Sequence, residues 1–378
     1  MPQLPAECGL DSDLARSADT VIFVDVDGVL NVGARDAGNP PLVLDDVGAR
    51  GALTLWNRGK HHEHPERDSI ERIVSLSHRE LGHGESSTYM KLAVREPLPI
   101  SEVLVARLAA LIQAAGKQRM VVLSSLWQRP QHRERRERLE RAISEQLGSP
   151  FAFDARTGPR DESTAPGRLR AIGDFLSDLC AWRAELGGDA GLRVLVLEDF
   201  HITALDGWPC DGEPMESTAA VERYLQQRAL SPMDLSVKLI HTYDEWRTPS
   251  GLLMQVGAGL TLHHYCQAAR FLGSSCGVCE QAGAEVDSAP ASRACTSHCG
   301  PHARANGNLQ RRRKASEAVG VTLSGASAAQ RATKVARVVC VPVPVGPLSG
   351  AGGGGATALA SGPWRLRESQ FSVACRAR

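Results

Sequence analysis

Asp25 and Asp27 stand one residue apart at the end of an apolar run, in the stretch TVIFVDVDGVLN from Thr20 to Asn31. Two carboxylates this close repel each other unless a cation or a shared proton compensates. The pair therefore points to a Mg²⁺ site or an acid/base couple. Asp-Gly is also a common turn dipeptide, and DxDG resembles half of a calcium loop. The calcium spacing fails, because that loop needs Gly at its sixth position and Glu at its twelfth, where this chain has Gly28 fourth and Asp36 twelfth.

Such side chains act only if strands and turns bring them together. Alternating β-rich runs and amphipathic stretches from residue 19 to 273 predict an α/β fold with a mainly parallel central sheet. The expected strands are Val21–Val26, Arg119–Ser124, Leu192–Leu197 and Ser236–His241, with PFAFDA at Pro150–Ala155 as a fifth. Most are continuous apolar runs, as strands covered on both faces should be. Helices are expected over Ser101–Gly116, with Ser101 as N-cap, over RERRERLERAISEQLG, and over GRLRAIGDFLSDLCAW. Carboxylates at the C-terminal end of a central strand would then lie where open α/β sheets bind ligands.

An apolar strand followed by DVDGVLN, one ending in Ser (VVLSSLWQ), a basic residue opening a helix (APGRLRAIGDFL) and a strand ending in an acidic pair (VLVLEDF) follow in order. They resemble the four motifs of the haloacid dehalogenase-like superfamily of phosphohydrolases, over residues 19–273. The resemblance implies a three-layer α/β/α Rossmann-like fold and a Mg²⁺-dependent phosphatase. Asp25 is then the nucleophile that forms an aspartyl-phosphate. Asp27 protonates the leaving oxygen and later deprotonates the attacking water. An alkoxide leaving group needs that acid and a halide does not, so the likeness is to phosphatases and not to dehalogenases.

The same resemblance assigns the other residues. Ser124, or Ser125 if the strand runs one residue longer, contacts a phosphoryl oxygen beside Gly28. Arg168 balances the charge, with Arg170 and Arg160 as alternatives; the superfamily more commonly has Lys. Glu198 and Asp199 complete the Mg²⁺ shell alongside the Asp25 carboxylate and the Asp27 main-chain carbonyl, Asp199 directly and the longer Glu198 through water.

DVDGVLN, LSSLWQ after VARLAALIQAAGKQRMV, AIGDFL and GAGLTLHHYCQAARFL further resemble the haloacid dehalogenase domain of Swiss Army Knife RNA repair proteins. This implies a substrate carrying phosphate on RNA or DNA ends. Two alternatives stand beside it: a nucleotide or small-metabolite phosphatase, and a non-catalytic binding or regulatory module, for which Glu198 and Arg168 are the departures that argue. The superfamily places substrate-selecting caps after the first strand. Residues 32–97, rich in Gly, His and charge with little periodicity, read as an irregular cap-like insertion that leaves the site open to a bulky substrate.

Other signals carry less. His61–His64 (HHEH) is a weak metal pattern in a polar insertion. Cys276, Cys279, Cys295 and Cys299 have the paired spacing of a Zn²⁺ knuckle but lack the apolar residues that pack around one. Arg311–Lys314 (RRRK) resembles an import signal or phosphate patch. Trp127 suits packing beside a strand end, or stacking on a base. The mixed charges of RERRERLER suit a solvated helix face better than a nucleic-acid patch.

Composition sets the outer bounds. The 378 residues are 42% apolar and carry ten cysteines without a pattern in the body, which suits free thiols in a reducing compartment. Residues 274–378 hold 13 Lys/Arg against 5 Asp/Glu, so a basic tail follows an acidic body. Its GAGGGGA and VPVPVGP segments and scarce aromatics predict disorder. Residues 1–18 are polar, lack the regions of a secretory signal and read as flexible. No run approaches the ~18 apolar residues of a membrane span. Together these predict an intracellular protein, cytoplasmic or nuclear, without a membrane partner.

Overall fold

The computed structural model describes residues 12–274 except 37–38, 83–84, 96–98, 159–163, 186, 188–190, 203–216 and 230–233. In chain order its first half runs α1 (Ser12–Ser17), β1 (Thr20–Val24), β2 (Gly33–Asp36), β3 (Asn39–Val43), α2 (Asp46–Asn57), α3 (Arg67–His78), α4 (Glu102–Ala114) and β4 (Arg119–Leu123). There follow α5 (Arg133–Leu147), β5 (Ala155–Arg156), α6 (Ala165–Glu185), β6 (Leu192–Glu198), α7 (Thr218–Arg228), β7 (Leu235–His241), β8 (Tyr243–Arg247), β9 (Leu253–Gly257) and α8 (Leu262–Phe271).

Five strands form a wholly parallel sheet in the order β5-β4-β1-β6-β7. Alternate residues of its central strands feed two separate cores. Ile22, Val24, Val121, Leu123, Leu195 and Leu197 pack with α4, α5 and α8. Val21, Phe23, Met120, Val122, Val194 and Val196 pack with α1, α6 and α7. Coverage on both faces is why these strands read as unbroken apolar runs. The result is an α/β fold of three layers.

Strand ends differ slightly from the sequence expectation, and the differences matter for the site. β1 stops at Val24 because the chain turns there: the Val26 N–H bonds the Asp25 carboxylate at 2.7 Å, and the Val26 carbonyl accepts from Leu30 N at 2.8 Å. β4 likewise ends at Leu123, although Ser124 N still donates to Val24 O at 2.9 Å. PFAFDA does not form a strand over its length. Only Ala155 and Arg156 pair with β4, while Phe151 and Phe153 turn their rings onto the neighbouring core. Ser101 does precede α4, yet its hydroxyl makes no cap bond.

The segment 32–97 is more ordered than its composition suggests. β2 and β3 join β8 and β9 in a second, antiparallel sheet of order β3-β2-β9-β8. α2 and α3 pack on each other through Ala52, Ile70 and Val74, and Arg72 on α3 donates to Leu253 O of β9 at 2.8 Å. Leu44, Leu76, Tyr89 and Leu92 enter the same core as Ile22. The insertion is thus built into the domain, a fact hidden from local periodicity because β2 pairs on one side with β3 and on the other with β9, more than 200 residues away. Residues 12–18, expected to be flexible, include α1, whose Ala15 is buried. The Ala15 carbonyl accepts from Arg183 Nη1 at 3.2 Å, and the Ala18 carbonyl just past the helix accepts from the same nitrogen.

One further expectation changes. Cys180 is a buried free thiol, but Cys266 is disulfide-bonded, which the scattered cysteine spacing did not suggest. The Zn²⁺ cysteines 276, 279, 295 and 299, the RRRK cluster and the tail lie outside the described residues. Among the described residues no helix is long and apolar enough to cross a membrane.

Candidate active site

Parallel in-register pairing sets the site. Val24 of β1 is level with Leu123 of β4 and Leu197 of β6, so the next residues, Asp25, Ser124 and Glu198, emerge in one row at the C-terminal ends of three adjacent strands. All three are buried. This is the edge of the sheet, beside the strand where the connections change direction, at which such folds bind ligands.

Arg168 in the first turn of α6 reaches this row from the side. Its Nη2 donates to both the Asp25 and Glu198 carboxylates, and its Nη1 lies 3.6 Å from Asp199 Oδ1. Of the three arginines left open by the sequence, Arg168 is therefore the one at Asp25; Arg170 is exposed, and Arg160 lies outside the described residues. Burial works to lower the Arg168 pKa, but the carboxylates of Asp25, Glu198 and Asp199 raise it above the usual guanidinium range and hold the charge.

Asp25, Glu198 and Asp199 each offer a carboxylate oxygen within 4.8 Å of the others. Burial pushes the Asp25 carboxyl up to about 7; Arg168 opposes this, and the Asp199 and Asp27 charges add to it. Glu198 is raised well above the usual carboxylate range, again chiefly by burial, with Arg168 opposing and Asp25 and Asp199 adding. Four acidic groups against the cations at hand leave negative charge in a dry place, which a divalent cation would neutralise. Glu198 Oε1 is buried without a hydrogen-bond partner, so a hard cation with oxygen ligands fits the donor set. That orphan oxygen also suits Glu198 as a direct ligand, where the sequence suggested one acting through water.

The serines divide. The Ser124 hydroxyl is buried and unpartnered, free to donate to an anion at the head of the sheet. Ser125 instead caps the short 3₁₀ turn Leu126–Gln128 by accepting from Trp127 N at 3.4 Å. Gly28, expected to touch substrate, has its N–H on Asn31 Oδ1 at 2.8 Å and its carbonyl on Thr242 Oγ1 and Gly259 N. What it supplies is space: φ is +79°, and a Cβ there would lie 2.1 Å from Asp199 Oδ2.

Several contributors had no sequence signal that gave them this role. Arg35 on β2 donates through Nη2 to the Asp199 main-chain carbonyl at 2.8 Å and to its Oδ2 at 3.1 Å, with its guanidinium beside the Tyr243 ring. Thr242, just past β7, ties Gly28 to the Glu198 carbonyl. Asn31 and Trp127 donate to Asp27 at 3.0 and 3.1 Å. Trp127 is buried, so it does not stack on a base from this position. Asn31 lies inside the opening motif and Trp127 two residues past its serines, and proximity to the motifs was the available hint.

HHEH forms no metal cluster among the described residues. His61 is buried and stacks on Trp56 at 4.0 Å between ring centroids. The charged helix α5 carries Arg133–Glu137 and Arg138–Glu134 pairs at i,i+4 spacing on its exposed face, as its mixed charges suggested. No family model matches the chain, and neither does a curated protein or a solved structure.

Proposed function

We propose that this protein is a Mg²⁺-dependent phosphomonoesterase of the haloacid dehalogenase-like kind, working through an aspartyl-phosphate on Asp25. The observation that carries the reading is the single row of Asp25, Ser124 and Glu198 at the sheet edge, closed by Asp199 and Arg168. Nucleophile, neutral donor, cation and metal-ligand set converge on one point, which is what phosphoryl transfer requires of a protein.

Asp25, Glu198 and Asp199 would hold Mg²⁺, with the Asp27 main-chain carbonyl. When bound, the ion neutralises the charge of the phosphoryl group and of the carboxylates around it. An Asp25 carboxylate oxygen forms the bond to phosphorus while the bond to the leaving oxygen breaks, and Asp27 supplies that oxygen with a proton. A water then attacks phosphorus, gives its proton to Asp27, and releases inorganic phosphate and the free Asp25 carboxylate. Ser124 and Arg168 donate to the non-bridging oxygens throughout.

The purified protein should hydrolyse p-nitrophenyl phosphate in Mg²⁺ and lose this in EDTA, and Asp25→Asn should fall to background. Absence of Mg²⁺-dependent turnover on any phosphoester would leave the non-catalytic binding module in its place. The likeness to RNA repair domains makes phosphorylated RNA or DNA ends the first substrates to try. A panel of 3′- and 5′-phosphorylated oligonucleotides, mononucleotides and sugar phosphates separates that choice from a nucleotide or small-metabolite phosphatase.

A further inference from the structure

Both carboxylate oxygens of Asp27 are gripped by side chains that the reaction above leaves without a part. The Trp127 indole N–H donates to Oδ2 at 3.1 Å, and the Asn31 amide donates to Oδ1 at 3.0 Å. Asn31 is itself fully committed: its Nδ2 also donates to Pro99 O at 2.9 Å, and its Oδ1 accepts from Gly28 N at 2.8 Å. Trp127 is 2% exposed and seated in the core beneath the sheet. One donor comes from the turn after β1 and the other from the segment after β4.

The terminal torsion of an aspartate is soft, so a half-buried carboxyl with no partners would turn freely. Two N–H donors from rigid neighbours remove that freedom. We propose that Trp127 and Asn31 are positioning residues that aim Asp27 at the leaving oxygen and then at the attacking water. The proposal rests on the acid/base reading of Asp27. In the first step the Asp27 O–H bond breaks as the leaving oxygen takes its proton. In the second the Asp27 carboxylate takes a proton from water as the Asp25–phosphorus bond breaks. Both transfers need the same oxygen within about 2.6–3.2 Å of its partner, which a rotating carboxyl seldom meets.

The test compares wild type, Asp27→Asn, Trp127→Phe and Asn31→Ala, full length and in Mg²⁺, on an alkyl phosphate and on 2,4-dinitrophenyl phosphate. Dinitrophenolate leaves without a proton, whereas an alkoxide needs one. The alkyl phosphate kcat/KM should drop by about 10²-fold in Trp127→Phe and Asn31→Ala, in parallel with Asp27→Asn, while kcat/KM for the dinitrophenyl ester, which reads only the first phosphoryl transfer, changes little. Phe keeps a ring in the core, and thermal unfolding establishes that each variant is folded. Asn31→Ala frees the other oxygen and leaves the Trp127 packing alone, but it also strips Gly28 N of its acceptor, so both esters are compared at saturating Mg²⁺. Equal losses on both esters, or no loss on either, would overturn the proposal. If wild type is active but Asp27→Asn shows no dependence on the leaving group, the acid/base reading has failed and the proposal falls with it. If neither ester is turned over by wild type, both fall together with the phosphatase.

Discussion

Asp25 is a carboxyl that holds its proton far above the ordinary range, and the sign of that shift makes a measurable statement. In the cation-free protein the folded state binds this proton more tightly than the unfolded chain, for which 3.8 is the reference. Its contribution to stability is therefore full below about 3.8 and is lost as pH rises through about 7. A divalent cation favours the carboxylates of Asp25 and Glu198, so Mg²⁺ binding at pH 6.5 should release protons, and affinity should strengthen as pH rises through about 7. Calorimetric titrations in two buffers of different ionisation enthalpy read the proton count directly; none released would contradict the site. At Gly28 an alanine would adopt an unfavourable left-handed conformation, costing about 1–2 kcal/mol, and its Cβ would drive Asp199 aside. Gly28→Ala should lower both the unfolding midpoint and the Mg²⁺ affinity.

Between elements, Glu85 is one polar tie that joins the insertion to the main body, beside the β2–β9 pairing. Its buried carboxylate accepts from Arg107 on α4 and from the Leu262 N–H at the start of α8, with Lys91 3.4 Å away. Burial works to raise its pKa, but these donors outweigh it and hold the carboxyl below the usual range. A depressed folded pKa means the stabilisation is fully present above the unfolded value near 4.5 and is lost as pH falls through the folded one. Glu85→Gln leaves Arg107 without its charge partner in a nearly closed setting. The expected loss is about 3 kcal/mol by urea unfolding at pH 7, shrinking as the comparison moves to acid pH.

For the whole molecule, the second sheet decides how tightly the site is built. Gly257 closes β9, and a Cβ there would lie 2.3 Å from the Gly28 Cα and 2.9 Å from Asp199 Oδ2. Arg35, on the neighbouring β2, holds Asp199 from the same side. Gly257→Ala, a change more than 200 residues from Asp25 in sequence, should therefore weaken Mg²⁺ binding as Gly28→Ala does. A thermal shift on adding Mg²⁺ is the readout: wild type should gain, and the variant should gain much less. An unaltered shift would show that the sheet and the acidic cluster are independent.

Four of the five strands of the main sheet, the helices α4, α5 and α6, and Asp25, Asp27, Glu198 and Asp199 as strand-end carboxylates were legible in the sequence because each depends on local pattern, while β5, the choice of Arg168 among three arginines and that of Ser124 over Ser125 were not. A strand buried on both faces must be an apolar run, and a charged or hydroxyl residue that ends one is conspicuous. β8 and β9 were missed although RTPSGLL between them carries a turn signal, because Asp244, Glu245 and Arg247 in β8 and Gln255 in β9 interrupt the apolar pattern. Arg35 and Gly257 were invisible as site residues, and Asn31 and Trp127 were noticed only for their place in or beside the motifs, for a different reason. Their roles are defined by what approaches them from distant parts of the chain, and no spacing encodes that. The sequence by itself determined which side chains end the central strands and their chemical type, while burial in the fold sets how readily Asp25 and Glu198 ionise. Only the tertiary structure decided that parallel register sets Asp25, Ser124 and Glu198 in one row, that Arg168 is the arginine that reaches it, and that Asp27 is held at both oxygens. Register and packing are long-range: they follow from burying both faces of the sheet at once, which no single segment can do alone.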